Sequence, residues 1–322
     1  MPLTAAALSR IFHDSHRPMS TAADNTRSAA APPRPSATIL LLREAASGID
    51  VLTVRRHANL TFGGQWVFPG GTSSAADSST AALALIGNPS GCSCSRMHTL
   101  NGEPLPLAEC LGLAMEACRE TFEETGILLA IDRDNRPCAP EVSARLQEQR
   151  PRVVEQPALF VELLVQERLR PDIARLVYWA HWVTPSIMPR RFDTRFFIVA
   201  APPGQLVIAD SHETVETAWL PPARLIEAAQ RGEMPLSHPT LYNLHELQAV
   251  LQRHRTLSHL LASEAARPIV PVMPKMLREK DSTTILLPWN PAYADAAGDG
   301  VPVNTVYPQA LRSLPALIRV AS

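Results

Sequence analysis

The chain has 322 residues, of which 46% are apolar and 19% are charged, and this composition is typical of a globular protein with a sizeable core. Its 30 Lys and Arg residues nearly balance its 31 Asp and Glu residues, so no uniform field attracts nucleic acid and no nucleic-acid partner is expected. No apolar run approaches the ~20 residues that cross a bilayer, and five irregularly spaced cysteines favour a reducing, cytoplasmic location over a disulfide framework.

The first 36 residues are rich in Ala, Ser, Pro and Arg, which predicts a disordered lead-in, with Met19 as an alternative start. Two β-prone runs follow, "SATILLLRE" and "DVLTVRR", and the short stretch between them predicts a β-hairpin. The next run, "QWVFPGG", predicts a strand that ends on two glycines. Bare backbone at that point can approach a ligand closely.

Residues 73–106 are rich in Ser, Ala, Gly and Asn, which predicts an inserted surface excursion with a short helix at "STAALALI". The clearest helix follows, "PLPLAECLGLAMEACRETFEETG", because prolines precede good helix formers and Gly126 closes the segment. A strand at "ILLAI" and helical periodicity over 141–170 come next. Further strands are expected at "RLVYWAHWVTP", "RRFDTRFFIVAAP" and "ETVETAWL", followed by two helices.

This order of elements favours one mixed α/β (α+β) sandwich, a β-sheet between helices, over two equal domains. We expect this domain to span residues 37–262. Residues 263–322 are expected to form a Pro-rich extension that packs on the domain. The sequence leaves the oligomeric state open.

Several carboxylates share one face of the strongest predicted helix. Glu120, Glu123 and Glu124 stand at i, i+3 and i+4, and Glu116 stands one turn earlier. Like charges at these spacings repel, so the pattern calls for compensation by Arg119 and a hard divalent cation such as Mg²⁺. The alternative is a solvated acidic face, which is what charge runs usually are.

Two segments resemble the Nudix box, G-x(5)-E-x(7)-R-E-U-x-E-E-x-G-U, where U is aliphatic. "RETFEETGIL" is similar to its second half and "WVFPGG" to the strand and turn that open it. The resemblance implies a mixed sheet between helices and hydrolysis of a diphosphate linked to another moiety. It implies that Glu120, Glu123 and Glu124 bind Mg²⁺ or Mn²⁺, that Arg119 orients them, and that the backbone carbonyl of Gly71 lies near the metal.

The box departs from the pattern in two ways. It is interrupted by 34 extra residues, and counting back from Arg119 puts the upstream Glu position at Leu111. Glu109, about one turn away, is the candidate substitute. An interrupted box resembles the Nudix branch of the coenzyme A diphosphatases, as do "RRFDTRFF", "ETVETAWLPP" and "LSHPTLYNLHEL".

A second coenzyme A signature, L-L-T-x-R-[SA]-x(3)-R-x(3)-G-x(3)-F-P-G-G, is partly met. Arg56 and Leu60 stand at its small-residue and second Arg positions. The matching positions are Leu52, Thr53, Arg55, Gly64 and "FPGG".

The resemblance implies that divalent ions activate a water molecule and that a carboxylate removes its proton. The candidate bases are Glu120, Glu124 and Glu213, of which Glu213 is favoured as an additional metal or base residue. Arginines bind phosphates through two parallel hydrogen bonds, and aromatic rings stack on adenine. The candidates for these two roles are Arg55, Arg190, Arg191 and Arg195, and Trp66 and Phe192.

The function expected from the resemblance is hydrolysis of coenzyme A or acyl-CoA to 3′,5′-ADP and (acyl-)phosphopantetheine. One alternative keeps the chemistry and changes the substrate to ADP-ribose, NADH or another nucleoside diphosphate derivative. Another is a Nudix domain that binds a nucleotide as a sensor without turnover. The intact trio of glutamates favours an enzyme.

Overall fold

A computed structural model of the chain describes residues 31–46, 48–59, 63–87, 92–210, 212–254, 256–279, 282–302 and 305–321. Most of the predicted lead-in, including Met19, lies outside these residues, as does Leu60. The first strand begins at Arg34, three residues before the domain boundary expected from the sequence, because residues 34–36 already pair with a neighbouring strand.

The strands follow the predicted order, with an antiparallel hairpin formed by the first two. "ILLAI" contributes a strand of two residues. The strands are β1 Arg34–Ala45, β2 Gly48–Arg56, β3 Trp66–Val67, β4 Gly70–Thr72, β5 Ala130–Ile131, β6 Arg170–Pro171, β7 Val177–Val183, β8 Phe192–Ala200, β9 Thr214–Leu220, β10 Pro271–Val272, β11 Lys275–Arg278, β12 Ser282–Leu286 and β13 Leu317–Ala321.

The longest helix is Leu107–Thr125, called the acidic helix below; it ends where Gly126 adopts φ 75°, a left-handed conformation that favours glycine. Shorter helices connect the strands. They are Thr80–Ile86, Pro140–Leu146, Arg150–Glu155, Ala158–Gln166, Pro222–Gln230, His238–Leu251, Leu257–Glu264 and Gln309–Arg312, with short 3₁₀ turns at Ser93–Arg96, Gln147–Gln149 and Ile173–Arg175.

The main sheet has the order β10-β7-β8-β1-β2-β3, with β4 also on β1 and β9 also on β2. β1 and β8 run parallel at its centre, and β1 and β2 run antiparallel. Parallel and antiparallel pairs therefore share one sheet. The mixed α/β fold expected from the sequence is confirmed.

Each face of the main sheet is covered by helices. Side chains of β1 alternate between the faces, so Ile39 and Leu41 contact the apolar cluster around the acidic helix, whereas Leu40 and Leu42 contact the cluster of the later helices. The sheet therefore separates two apolar layers, and the acidic helix lies in one of them.

The segment 73–106 packs against the domain, so its description as a surface excursion was wrong. Ala82 and Ile86, on the predicted short helix, and Met97 are buried in the layer of the acidic helix. Ser93 fixes the segment to β7, because its hydroxyl donates to the carbonyl of Leu176 and accepts from the N–H of Tyr178. The segment is polar in overall composition, but its few apolar side chains provide this packing.

Most of the C-terminal extension attaches to the opposite layer, whereas Ile269 packs against the cluster of the acidic helix. β10 extends the main sheet beside β7, and β11, β12 and β13 form a separate antiparallel sheet. Aromatic rings of Trp182, Tyr242, Trp289 and Tyr307 follow one another with centroids 5.4–5.7 Å apart, which is typical of tilted aromatic pairs. These rings join the extension to β7 and to the helix His238–Leu251. Across the described ranges, no helix is long and apolar enough to span a membrane.

Candidate active site

The acidic helix is buried around almost its whole circumference. Its apolar residues, among them Cys118 and Phe122, face the core, and its carboxylate face is covered too: Glu116 is 0% exposed and Glu124 is 2% exposed. A solvated acidic face is therefore excluded. Buried carboxylates need a compensating charge or hydrogen bonds. The surrounding residues provide these to each carboxylate in a different way.

Arg119 holds two of the predicted glutamates. Its Nη1 donates to Glu120 Oε1 and to Glu123 Oε1, both at 2.9 Å. Its Nε and Nη2 donate to the two carboxylate oxygens of Asp77 at 2.8 and 2.9 Å, a two-point ion pair. Nearby carboxylates raise the pKa of Arg119 in spite of its burial, so it is permanently charged.

Asp77 stands six residues after Gly71, where the Nudix pattern has its first glutamate. The upstream acid is therefore present in the first half of the box, and the extra residues lie between it and Arg119. Glu109 as the substitute was wrong, because it is exposed in the first turn of the acidic helix, and Leu111 is a core residue. Counting forward from Gly71, instead of back from Arg119, finds Asp77.

Gly70 and Gly71, the first two residues of β4, lie against the carboxylates. The N–H of Gly70 donates to Glu124 Oε2 at 3.1 Å. A Cβ atom on Gly71 would lie 2.3–2.4 Å from the carboxylate of Glu120, so any side chain at this position would require that carboxylate to move. The carbonyl of Gly71 accepts a hydrogen bond from the hydroxyl of Ser36.

Glu116 has a different role from the other three glutamates. Its Oε1 accepts the N–H of Ala37 at 2.7 Å, and its Oε2 accepts the hydroxyl of Ser73. It thus ties the acidic helix to β1 and to the segment just after β4. These contacts hold β1 and the end of β4 against the acidic helix.

Glu124 and Glu213 lie on either side of Arg56. Arg56 Nη1 is 3.7 Å from Glu124 Oε1, and Arg56 Nη2 is 4.0 Å from Glu213 Oε2. Glu124 Oε1 is buried and accepts no hydrogen bond from any described residue. Glu213 is 45% exposed at the rim, where the carboxylate of Asp210 accepts its backbone N–H.

The negative charge of the carboxylates in this cluster is not fully neutralised by the nearby arginines. Burial raises the pKa of Glu120 to about 7, and burial together with the charge of Glu120 raises the pKa of Glu124 well above its ordinary value. A hard cation with oxygen ligands relieves such crowding, and the buried Glu124 Oε1 is a suitable donor. In the arrangement seen, no three acidic, His or Cys side chains of the described residues converge as a closed metal site.

Two of the predicted phosphate-binding arginines are committed elsewhere. Arg195 is buried; it pairs with the carboxylate of Asp193 and donates to the carbonyl of His98 at 2.8 Å. Arg191 donates to backbone carbonyls at Thr184 and Ala31. Their contacts fasten β8 to neighbouring segments, and the structure does not bring either guanidinium to the carboxylates.

The remaining substrate-binding candidates lie at or near the surface. Arg55 is half exposed and pairs with Glu216 on β9 at 2.9 Å. Arg190 is exposed and Phe192 half-buried at the start of β8, whereas Trp66 is buried in the core. The structure thus brings together the glutamates, Arg119, Gly71 and Glu213, and leaves these four residues outside that cluster.

Sequence reasoning missed two arginines of the site. Arg56 lies between Glu124 and Glu213, as described above. Arg150 is buried and donates from Nε and Nη2 to the carbonyl of Glu123 at 3.0 and 2.7 Å, which satisfies a backbone acceptor at the end of the acidic helix. Nothing in the spacing of Arg150 from the box indicates this contact.

Known proteins resemble this chain in both sequence and structure. The family model described as NUDT19 Nudix domain matches residues 19–247. Among solved structures, the NUDIX hydrolase from Alicyclobacillus acidocaldarius is 26% identical, with a TM-score of 0.56, over 74% of this chain and 100% of that one. Most of the domain expected from the sequence is thus covered by both matches.

Curated relatives carry the name acyl-coenzyme A diphosphatase NUDT19. The protein from Gallus gallus is 33% identical over 213 residues, which is 56% of this chain and 56% of that protein. The protein from Homo sapiens is 29% identical over 279 residues, 78% of this chain and 74% of that protein. The match with the chicken protein thus spans little more than half of its length.

Proposed function

We propose that this chain, which belongs to the NUDT19 Nudix domain family, is a metal-dependent diphosphatase that hydrolyses coenzyme A or acyl-CoA to 3′,5′-ADP and (acyl-)phosphopantetheine. The observation that carries the proposal is the packing of Glu120 and Glu124 against Gly70 and Gly71 of β4. This arrangement gathers carboxylate oxygens and close backbone at one place. The divalent cation that accompanies a diphosphate needs such oxygen ligands.

We assign Glu120, Glu123, Glu124 and the carbonyl of Gly71 as the residues that hold Mg²⁺ or Mn²⁺. When bound, such an ion neutralises charge on the diphosphate and lowers the pKa of the attacking water. Arg119 fixes the carboxylates of Glu120 and Glu123 through its two Nη1 hydrogen bonds. Glu124 contributes its buried Oε1, and its Oε2 stays on the N–H of Gly70.

We propose Glu213 as the group that accepts the proton from the attacking water, with Glu120 and Glu124 as the alternatives. Glu213 is exposed at the rim and lies within the electrostatic reach of both buried glutamates. Its backbone is held because Asp210 Oδ1 accepts the N–H groups of Glu213 and Thr214 at 2.9 and 2.8 Å. A base in that position exchanges protons with solvent readily.

The substrate assignment rests on the relatives named acyl-coenzyme A diphosphatase and on the partial coenzyme A signature of β2. The partner we propose is accordingly a small-molecule diphosphate. Arg55, Arg190, Arg191, Arg195 and Phe192 stay predictions as substrate contacts, and the cytoplasmic location also stays a prediction.

The test compares three diphosphates as substrates: coenzyme A, ADP-ribose and NADH. Each is incubated with purified protein, with Mg²⁺, with Mn²⁺ or with a chelator, and the products are separated by chromatography. We expect metal-dependent release of 3′,5′-ADP from coenzyme A, faster than cleavage of the other two. Faster cleavage of ADP-ribose or NADH would overturn the substrate, and no turnover of any would favour a binding module.

The same assay is run with Glu124→Gln, which removes a charge with almost no change in shape. We expect kcat to fall by roughly two orders of magnitude or more, because charge that stabilises the reaction is lost. Glu109→Gln, at the exposed first turn of the acidic helix, is the matched control and keeps full activity. Equal activity of the Glu124→Gln variant and the wild type would remove this site assignment.

A further inference from the structure

Arg56 lies at the end of β2, where the register with β9 shifts. β2 pairs regularly with β9 up to Arg55, opposite Glu216, and a bulge follows, so that Arg56 pairs with Thr214. A bulge redirects side chains relative to the regular alternation of a strand. The Thr214 hydroxyl donates to the backbone carbonyl of Glu124, which puts this end of β9 beside the acidic helix.

The guanidinium of Arg56 lies between a buried and an exposed carboxylate of the candidate site. Its two Nη atoms lie 3.7 Å from buried Glu124 and 4.0 Å from exposed Glu213, and its side chain is 20% exposed. It therefore spans the site from the interior to the solvent. An anion that enters from solvent meets this cation beside the carboxylates.

Arg119, another arginine of the cluster, lies deeper in the protein. All three of its guanidinium nitrogens donate to fixed partners, namely Asp77, Glu120, Glu123 and the carbonyl of Thr72. Its side chain is 3% exposed. Arg119 thus holds the carboxylates and is almost completely shielded from solvent.

We propose that Arg56 binds the diphosphate of the substrate through its non-bridging oxygens. The inference rests on the proposed function for the identity of the substrate, whereas the diphosphate itself is the ligand of Arg56. A substrate diphosphate is repelled by Glu120, Glu124 and Glu213, and a guanidinium between two of them offsets that repulsion. Its planar fork matches two phosphate oxygens at once.

The neighbouring Arg55 does not have this position. Its guanidinium pairs with Glu216 at 2.9 Å on the regular part of β9, and its side chain is 43% exposed. Arg55 precedes the bulge, whereas the side chain of Arg56 is redirected by it. Of the two adjacent arginines, the geometry assigns the diphosphate contact to Arg56.

The test measures binding and turnover separately. Binding of methylenediphosphonate, a diphosphate analogue that is not hydrolysed, is measured by calorimetry with Mn²⁺ for the wild type, Arg56→Ala, Arg56→Lys and Arg231→Ala. Steady-state kinetics with coenzyme A are measured for the same four proteins. Arg231 is exposed, pairs with Glu233 on the surface, and serves as the matched control.

We expect Arg56→Ala to raise the Kd of methylenediphosphonate and the KM of coenzyme A by roughly 10- to 100-fold, as charged hydrogen bonds are lost. Arg56→Lys should lie between it and the wild type, because it keeps the charge and loses the fork. Arg231→Ala should equal the wild type. Far-ultraviolet circular dichroism tests whether each protein is folded. If Arg56→Ala is unfolded, Arg56→Lys is compared with the wild type instead.

A Kd and KM of Arg56→Ala within twofold of the wild type would overturn the inference. A fall in kcat alone, with unchanged binding of the analogue, would also overturn it, because Arg56 would then act only as the ion-pair partner of Glu124. If the wild type binds the analogue through Arg56 but does not hydrolyse coenzyme A, the proposed function fails and the diphosphate contact stands. A wild type that neither binds the analogue nor cleaves coenzyme A overturns both.

Discussion

At the scale of single residues, the site depends on how Arg119 is held. Its two-point ion pair with Asp77 is buried, with both side chains 3% exposed. The pair fixes the plane of the guanidinium, and Nη1 then points to Glu120 and Glu123. Asp77 therefore positions the two glutamates through Arg119.

Asp77→Asn should destabilise the fold, because it breaks the two-point ion pair of a buried guanidinium and leaves it only Glu120 and Glu123 as charged partners. We expect the free energy of unfolding to fall by about 3–5 kcal/mol, as measured by urea denaturation. Asp134→Asn removes an aspartate from an exposed pair with Arg136 and should cost less than about 1 kcal/mol. Equal losses in the two variants would contradict the role assigned to Asp77.

The buried carboxylates also make stability depend on pH when no metal is bound. Burial raises the pKa of Glu120 to about 7, and the pKa values of Glu116 and Glu124 well above the ordinary value. The folded state then binds more protons than the unfolded state above pH ~4.5, so stability falls as the pH rises through about 7.

In a chelator, the melting temperature should therefore decline between about pH 5 and 8. Glu120→Gln cannot ionise, so the difference in stability between this variant and the wild type should widen in favour of the variant as the pH rises. Glu109→Gln should track the wild type. A difference between wild type and Glu120→Gln that is constant across this pH range would contradict the shifted pKa.

At the scale of elements, the candidate site forms where Gly70 and Gly71 of β4 meet the acidic helix. β4 pairs with β1, and Glu116 ties the acidic helix to β1 through the N–H of Ala37. β4 is thus held from both sides against Glu120. A side chain at Gly71 would displace the carboxylate of Glu120.

Gly71→Ala should abolish most activity. The new Cβ would lie 2.3–2.4 Å from the carboxylate of Glu120 and would force that carboxylate to move. We expect kcat for the substrate to fall at least about tenfold, as small misplacements of reacting groups are costly. Thr72→Ala, at the next position, adds no atom and keeps the carbonyl that accepts from Arg119. Turnover by the Gly71→Ala protein at the rate of the Thr72→Ala protein would contradict the close packing.

The elements that the sequence predicts well are those with a local signal. The acidic helix has prolines before it and Gly126 after it, and the β1–β2 hairpin has two β-prone runs. The carboxylate face follows from helical spacing alone. Long-range contacts have no such signal: the ion pair of Arg119 with Asp77, the cap that Arg150 provides and the bulge at Arg56 all join segments distant in sequence.

At the scale of the whole molecule, the main sheet separates the candidate site from most of the C-terminal extension. The acidic helix lies in one apolar layer, and the aromatic rings of Tyr242, Trp289 and Tyr307 join the extension to the other. The indole N–H of Trp289 also donates to the carbonyl of Leu314 at 3.2 Å. The candidate site and the attachment of most of the extension thus lie in different layers.

Trp289→Ala should therefore lower stability with little effect on the chemistry. We expect a loss of about 3 kcal/mol in the free energy of unfolding, since a large aromatic contact is removed. The kcat of protein that is still folded should stay within about twofold of the wild type. Trp289→Phe keeps a ring and should lose less stability; a kcat that falls in parallel with stability would contradict this separation.

The interrupted box has a consequence for how far the chain can vary. Asp77 and Arg119 are separated by 41 residues, where the uninterrupted pattern has seven. The entropy of closing a flexible loop grows only with the logarithm of its length, so this extension adds about 1.6 kcal/mol to the cost of closure. That is less than the loss expected when the buried ion pair is broken. The two halves of the box must meet in space, but the entropy of chain closure by itself sets only a weak limit on the length of chain between them.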